Sequence, residues 1–344
     1  MKLSICIATL NRAKFIGTTL DSIVSQVSEN VEVIIVDGAS TDNTQEIVAA
    51  YQARYPFIRY ERLPEKGGLD RDYTRAVELA RGEYCWLFTD DDVLMPGAVD
   101  AVLGSLTPEL DLIVVNSEIR SANLTSVLKK SALEVDSDVN YGPDELEALF
   151  RKVASYMSFI GCVVIRKACW DERDKPAYYG SWFVHMGVIF QQPLRHDALV
   201  LSKPYIAIRY GNATWSNRSF EISLFKWPAL IWSFSVISDS ARQSITPREP
   251  WSSAKRLFIC RARGAYGKRE YEEYLKDRLQ LRFKRIVAKA IATIPGVLAN
   301  TALLVYFSIT SRLHANAELQ LSDLRVSAWH YRNVAKNLLA GRPT

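Results

Sequence analysis

Three consecutive carboxylates, Asp90, Asp91 and Asp92, follow the apolar run "YCWLF" of residues 84–88. Like charges packed this closely cost energy unless a cation or a set of donors neutralises them. A hard divalent ion such as Mg²⁺ or Mn²⁺, sharing its shell with phosphate oxygens, suits such a cluster. The competing account is an acidic turn before the next helix, where a carboxylate favours the helix dipole. Capping accounts for one acid but not for three. Two more polar groups close apolar runs in the same way: Thr9-Leu10-Asn11-Arg12 after "LSICIA", and Asp37-Gly38-Ala39-Ser40 after "VEVIIV". Asp37 alone reads equally well as a turn residue that caps the following helix.

These groups share one site only if the runs that carry them are neighbouring strands. The pattern from residue 3 supports that arrangement. Short β-branched runs alternate with longer helical periods: helix 13–27 with Phe15, Leu20, Ile23 and Val27 inward, helix 44–54 behind the capping residues of "GASTDNT", helix 71–81 ended by Gly82. "FIRYE", "YCWLF", "LDLIVVN", "FIGCVVIRK" and "LVLSKPYIAIRY" supply further strands, and Pro96 is expected in the first turn of a helix. Strands alternating with helices predict an α/β fold, its mostly parallel sheet covered on both faces. Ligands of such sheets bind outside the C-terminal strand ends, where all three polar groups fall.

The 344 residues carry a net charge of +5 that is unevenly placed. Residues 251–344 hold 17 Lys and Arg against 6 Asp and Glu, on an acidic body. A basic tail of this kind meets a polyanion or is simply a solvated face. Five scattered cysteines without a CxxC pair point to reduced, buried thiols. The N-terminal apolar stretch is too short for a signal peptide, so the chain is expected inside the cell. Neither GxxxxGK[ST] nor GxGxxG follows the first strand, which argues against kinases and nicotinamide enzymes.

The segments "SICIATLNR", "VIIVDGASTDNT" and "ARGEYCWLFTDDDVLMPGAV" resemble the nucleotide-sugar half of a family 2 glycosyltransferase with the GT-A fold. The resemblance covers residues 1 to about 120; with the chain turning aromatic and helical beyond Gly211, the expected organisation is a GT-A catalytic domain at 1–210 and a helical, basic extension at 211–344. It implies that Thr9 and Asp37 hold the base and ribose of a nucleotide-sugar, helped by Asn11, Arg12 and Gly68. Asp90 and Asp91 would form the DxD-type site for metal and diphosphate. The adjacent acids of the family pattern fall on Asp91 and Asp92, which makes Asp91 the first choice of Mn²⁺ or Mg²⁺ ligand and leaves Asp90 to the ribose. Where the family commonly has small residues, "GGLDRDYTRA" carries Asp70, Arg71 and Asp72, and Asp70 and Arg71 join the expected nucleotide-sugar contacts. With "RYGNATWSNRSFEI", this variant resembles transferases of abequose and related 3,6-dideoxyhexoses of O-antigens, which implies a CDP-sugar donor and a polyprenyl-diphosphate-linked oligosaccharide acceptor. An exposed ion-pair patch is the other account of Asp70, Arg71 and Asp72.

Inverting members of the family usually carry an acidic pair as acceptor-side base, but "YYGSWFVHMGVIFQ" has none. His185 is the titratable residue of that interval, either a base or a hydrogen-bonded structural histidine. Asp171, Glu172, Asp174, His196 and Asp197 compete with it. Arg166, Arg209, Trp215 and Arg218 are candidates for acceptor or phosphate contacts, against core packing for the tryptophan.

In the tail, 275–291 reads as an amphipathic basic helix with Leu275, Leu279, Phe283, Ile286 and Ala290 on one stripe. It leads into the uncharged stretch 290–311, which Pro295, Gly296 and Asn300 dilute as a span. Shallow insertion of 275–311 into the anionic inner leaflet is the expectation, with a core helix or a true span as alternatives. The partner is thus a membrane surface and not a nucleic acid, and the protein is peripheral on the cytoplasmic face. Two other functional classes stay open: a nucleotidyltransferase using the same carboxylates, and a noncatalytic carbohydrate or lipid-surface binder.

Overall fold

The computed structural model describes residues 1–27, 29–212, 218–310 and 317–339. Two compact units emerge: Met1–Arg209 with Leu230–Ile245, and Tyr210–Ala229 with Thr246–Thr344.

The first unit is built on one sheet. Its strands are β1 (Leu3–Thr9), β2 (Val31–Asp37), β3 (Ile58–Arg62), β4 (Tyr84–Phe88), β5 (Val93–Leu94), β6 (Leu110–Arg120), β7 (Val127–Lys129), β8 (Val139–Tyr141), β9 (Val163–Arg166) and β10 (Asp197–Arg209). Their order is β3-β2-β1-β4-β9-β6-β10-β5, with β7 on β6 and β8 on β10. β1, β2, β3 and β4 pair in parallel, as do β6 and β10. β9 enters antiparallel between β4 and β6. Its four residues are long enough to pair, but a run that short carries no sign of direction. The strands β1, β2 and β4 are buried along their whole length, as expected where helices cover both faces.

The helices α1 (Ile16–Val24), α2 (Thr44–Arg54), α3 (Leu69–Leu79) and α4 (Ala98–Ser105) connect these strands. Ile16, Leu20 and Ile23 of α1 pack with Ile5, Ile7, Val33, Trp86 and Phe88 in the main core. Helix α4 begins at Ala98 behind Gly97, whose φ of 81° only glycine adopts freely, so Pro96 stands in the turn before the helix and not in its first turn. Further along lie α5 (Leu146–Val153), α6 (Lys167–Asp171) and α7 (Val184–Phe190). Phe150 of α5 and Phe190 of α7 meet edge to face at 5.0 Å, and Phe234 packs on both. That aromatic cluster is why Leu230–Ile245 packs in the first unit although its neighbours in sequence do not.

The second unit is helical, with Ala254–Arg263, Arg282–Thr293 and Gly296–Thr310 as its main members. Phe220, Leu257, Tyr266, Tyr271, Leu275 and Leu279 form its core. Phe220 stacks on Tyr266 at 5.0 Å, so these aromatics serve packing. The stripe expected over 275–291 divides here. Leu275 and Leu279 are buried, while Phe283 and Ile286 stand exposed on a helix that starts only at Arg282. None of the five cysteines is in a disulfide, and all but Cys260 are buried.

Candidate functional site

Strand direction sorts the candidate residues into two ends of the sheet. Thr9 pairs with Asp37 in the β1–β2 register, and Ile7 pairs with Phe88 of β4. Two residues further along, Asp90 therefore stands beside Thr9. Arg209, at the end of β10, comes to the same edge. Arg166 lies at the other edge, opposite Tyr84 at the start of β4. There it bonds the carbonyls of Leu110, Thr107 and Pro108 and pairs with Glu83, which makes it a structural staple and removes it from the acceptor candidates. Helix α6, with Asp171, starts from that edge, where Lys167 and Arg195 take up Asp171 and Glu172. His196 pairs there with Asp111, and Asp197 opens β10 beside it.

At the site edge the acidic turn is held from three sides. The Arg12 guanidinium reaches Asp90 Oδ1 with Nε at 3.2 Å and Asp91 Oδ2 with Nη2 at 3.1 Å. Arg209 Nε donates to the Asp91 carbonyl at 2.8 Å, and its ring-facing side covers Phe15. Asp92 accepts from Thr89 Oγ1 at 2.6 Å and from the Arg209 backbone N–H at 2.6 Å. Each of its oxygens thus accepts one hydrogen bond within the turn and keeps a second lone pair. Arg209, an acceptor or phosphate candidate in the sequence, is instead the clasp of this turn. The Thr9 hydroxyl faces the Asp90 carboxyl but makes no hydrogen bond of good geometry, and is buried.

One guanidinium does not balance these acids. Burial and the charge of Asp91 push Asp90 up to about 7, against the pull of Arg12. Burial, with Asp91 again, pushes Asp92 up to about 8. The sign of the consequence follows from proton counting. Between the ordinary carboxylate range and these values the folded chain binds more protons than the unfolded chain, so these two acids make stability fall as pH rises from about 4 to about 8. Thermal melts across that window should show a falling midpoint, and Asp91→Asn should flatten the slope. A midpoint that is level or rises would contradict the unbalanced turn.

The other predicted residues are partly structural. Asp37 is fully buried, with Oδ1 accepting from Ser40 N–H at 2.7 Å and Oδ2 from Tyr60 Oη at 2.7 Å. It caps its turn, and each oxygen keeps a second lone pair. Asn11, at φ 57°, accepts from the Thr41 N–H at 2.7 Å and joins the two strand-end loops. Gly68, at φ 95°, precedes α3. On α3, Asp70 and Asp72 are buried, which removes the exposed-patch account. Asp70 accepts backbone N–H bonds from Gly180 at 2.8 Å, Trp182 at 3.0 Å and Val184 at 3.0 Å. It thereby fixes the loop that leads into α7, where Trp182 holds φ 76°, a strained value for a bulky residue. Arg71 lies over the Tyr179 ring at 5.5 Å.

His185 is corrected by the same loop. It is 1% exposed in α7, and its Nε2 donates to the Met157 carbonyl at 2.7 Å. Burial lowers its pKa to about 4. Such a ring is a neutral packing residue and not a base in contact with an acceptor. Arg218, in the second unit, pairs with Glu221 at 2.9 Å. Trp215 lies outside the described residues. Asp72, named in the sequence beside Asp70 and Arg71, has a buried Oδ1 without a hydrogen-bond partner among the described residues. Its only signal was an acid in a segment where the resembled family has small residues.

With this geometry in place, comparison with known proteins becomes informative. Residues 4–133, which contain β1 to β6 and the whole acidic turn, match the sequence model of glycosyl transferase family 2. The protein is a glycosyltransferase. The abequosyltransferase RfbV of Salmonella typhimurium (strain LT2) is 29% identical over 234 residues, 63% of this chain and 69% of that protein. The crystal structure of S. aureus TarS 1-349 superposes with a TM-score of 0.56 at 17% identity, covering 99% of this glycosyltransferase and 92% of that TarS fragment. The mannosyltransferase PcManGT of Pyrobaculum calidifontis, solved with GDP-Man and Mn2+, gives 0.53 at 15% identity over 98% and 87% of the two chains. The fold of this glycosyltransferase is therefore the GT-A fold expected from the sequence.

Proposed function

We propose that this glycosyltransferase moves a 3,6-dideoxyhexose of the abequose type from a CDP-sugar to a lipid-linked oligosaccharide in surface polysaccharide synthesis. The reading is supported by the likeness to an abequosyltransferase over 69% of its length. The observation that carries it is the strand-end turn, where Asp90 and Asp91 share the single Arg12 guanidinium. A hard cation needs only one or two carboxylates when substrate phosphates complete its shell. Asp91, with Asp90 beside it, fits that donor set; among the described residues no larger acidic or imidazole cluster could hold a metal. When bound, Mn²⁺ or Mg²⁺ supplies charge neutralisation to the diphosphate of the leaving group.

The chain's own residues do the rest. Arg12 holds the acid pair in place, and Arg209 and Thr89 fix the turn's backbone around it. An acceptor hydroxyl oxygen bonds to the anomeric carbon, the bond from that carbon to the diphosphate oxygen breaks, and the acceptor proton leaves to solvent. The test is product analysis with a CDP-sugar and a lipid-linked acceptor. Release of CDP with a lengthened glycan supports the reading. Release of pyrophosphate would favour nucleotidyl transfer, and no turnover with intact binding would favour a carbohydrate binder.

The membrane part of the proposal rests on the second unit. Leu281, Phe283 and Ile286 are 61%, 75% and 59% exposed and alternate with Arg282, Lys284 and Arg285. Among the described residues no single helix is long and apolar enough to cross a membrane, while Arg282–Thr293 and Gly296–Thr310 form a pair bent by 94°. We place this patch on the anionic inner leaflet, where each basic side chain contributes about 1 kcal/mol. The full chain should float with anionic vesicles at low salt and detach as salt rises. Phe283→Glu with Ile286→Glu should abolish flotation without lowering the melting point. Equal flotation of the double variant would contradict this docking surface.

A further inference from the structure

The Arg12 guanidinium sits on the carboxylate oxygens that a divalent ion at this turn would need. It reaches Asp90 Oδ1 at 3.2 Å and Asp91 Oδ2 at 3.1 Å, one nitrogen to each acid, and the side chains of Asp90, Arg12 and Asp91 are only 10%, 12% and 13% exposed. A dication on the same pair would meet this positive charge at contact distance, in a setting where water screens it poorly. Guanidinium and ion therefore compete for one seat.

Arg209, the other arginine of the turn, is in no such conflict. Its Nε and Nη1 donate to the main-chain carbonyls of Asp91 at 2.8 Å and Ala122 at 2.9 Å, and its backbone N–H donates to Asp92. It fixes the turn without covering the Asp90 and Asp91 carboxylates.

The Arg12 side chain can move without dismantling the loop that carries it. Its backbone N–H donates to Thr44 Oγ1 at 2.9 Å, and its carbonyl accepts from the Phe15 and Ile16 N–H groups at 2.8 Å and 3.0 Å, where α1 begins. Those bonds do not involve the guanidinium, so its departure is a side-chain rotation about a fixed backbone. A planar guanidinium pairs with phosphate oxygens as readily as with carboxylates. The donor's diphosphate is thus a second partner of the right chemistry, brought to the same turn with the ion.

We infer that Arg12 is a displaceable counter-ion, which neutralises Asp90 and Asp91 until a divalent ion takes them and then passes to the diphosphate of the donor. The inference rests on the nucleotide-sugar reading and specifies the residue that couples its two ligands. Arg12 adds to the coupling that shared coordination gives, because the ion frees the guanidinium for the phosphates and the phosphates draw it off the acids. Coupling between two ligands is reciprocal and typically about 5–150-fold.

Calorimetry of the full chain with Mn²⁺ alone, and with CDP at saturating Mn²⁺, tests it. Arg12→Gln uncovers the two carboxylates and should bind Mn²⁺ alone more tightly than wild type, by about 5–150-fold. The same variant should bind CDP more weakly. Its melting midpoint should accordingly rise further with added Mn²⁺ than that of the wild type. A merely structural arginine would weaken both ligands on removal, and one that only contacts phosphate would leave the affinity for Mn²⁺ alone unchanged. Either result overturns the inference. Arg12→Lys, which keeps the charge without the two-pronged fork, should fall between wild type and Arg12→Gln, and it carries the test if the glutamine variant does not fold. A wild type that binds neither Mn²⁺ alone nor CDP with Mn²⁺ overturns the nucleotide-sugar reading itself.

Discussion

Asp91→Asn should remove metal-dependent sugar transfer while leaving the protein folded and, at about pH 8, more heat-stable. The activity side follows from the donor set. A neutral amide at position 91 removes the carboxylate that, with Asp90, is proposed to hold the ion. Losing one preorganised group that stabilises developing charge lowers kcat on the order of 10²–10³-fold, and loss of the ion adds to that. The stability side follows from electrostatics. Asp91's charge is a named cause of the raised values of both Asp90 and Asp92, so removing it relieves two buried acids at once. Turnover with saturating donor, read beside a thermal melt, checks both halves. Activity within a few-fold of wild type would take Asp91 out of the site.

Asp70→Ala is expected to have the largest effect on the fold around the site. Its carboxylate receives three backbone N–H groups from Gly180, Trp182 and Val184, across more than a hundred residues of sequence. Truncation leaves those donors without their acceptor and frees Trp182 from a strained conformation. Breaking a buried charged network of this size costs about 3–5 kcal/mol. Hydrogen exchange should locate the loss at residues 180–190. Asp70→Asn, which keeps part of the acceptor capacity, should fall between the two. An unchanged melting point for Asp70→Ala would show that the loop is held by other contacts.

Asp70 and Asp72 also mark what the sequence could and could not tell. The two acids stand one residue apart in "GGLDRDYTRA", with similar surroundings in the chain. Their fates differ because the first receives the N–H groups of a loop at 180–184, while the second packs against Gly38 and Gly67 with no hydrogen-bond partner for Oδ1 among the described residues. No local pattern encodes either fact. What was legible were features repeated along the chain: fully apolar runs for β1, β2 and β4, helical periods between them, and polar groups at the strand ends. Those are the features that parallel sheets impose on composition. The direction of β9 was not legible, since a strand of four residues is apolar whichever way it runs. Arg166 and His185 were misread for a related reason. Their residue types fit the chemistry, but strand polarity puts Arg166 at the wrong edge and helix packing buries His185. In the tail, i to i+4 spacing continued across 276–281, where the structure has a break and the stripe parts into core and surface.

The central claim is that the strand-end turn of residues 89–92 is where a divalent ion and a nucleoside diphosphate meet. The most direct measurement is the electron paramagnetic resonance signal of Mn²⁺ titrated with the full chain and CDP. The account predicts that protein and CDP together broaden the free-ion signal far beyond what CDP alone produces, and that Asp91→Asn reduces the effect to that of CDP alone. An identical spectrum for wild type and variant, both folded, would contradict it.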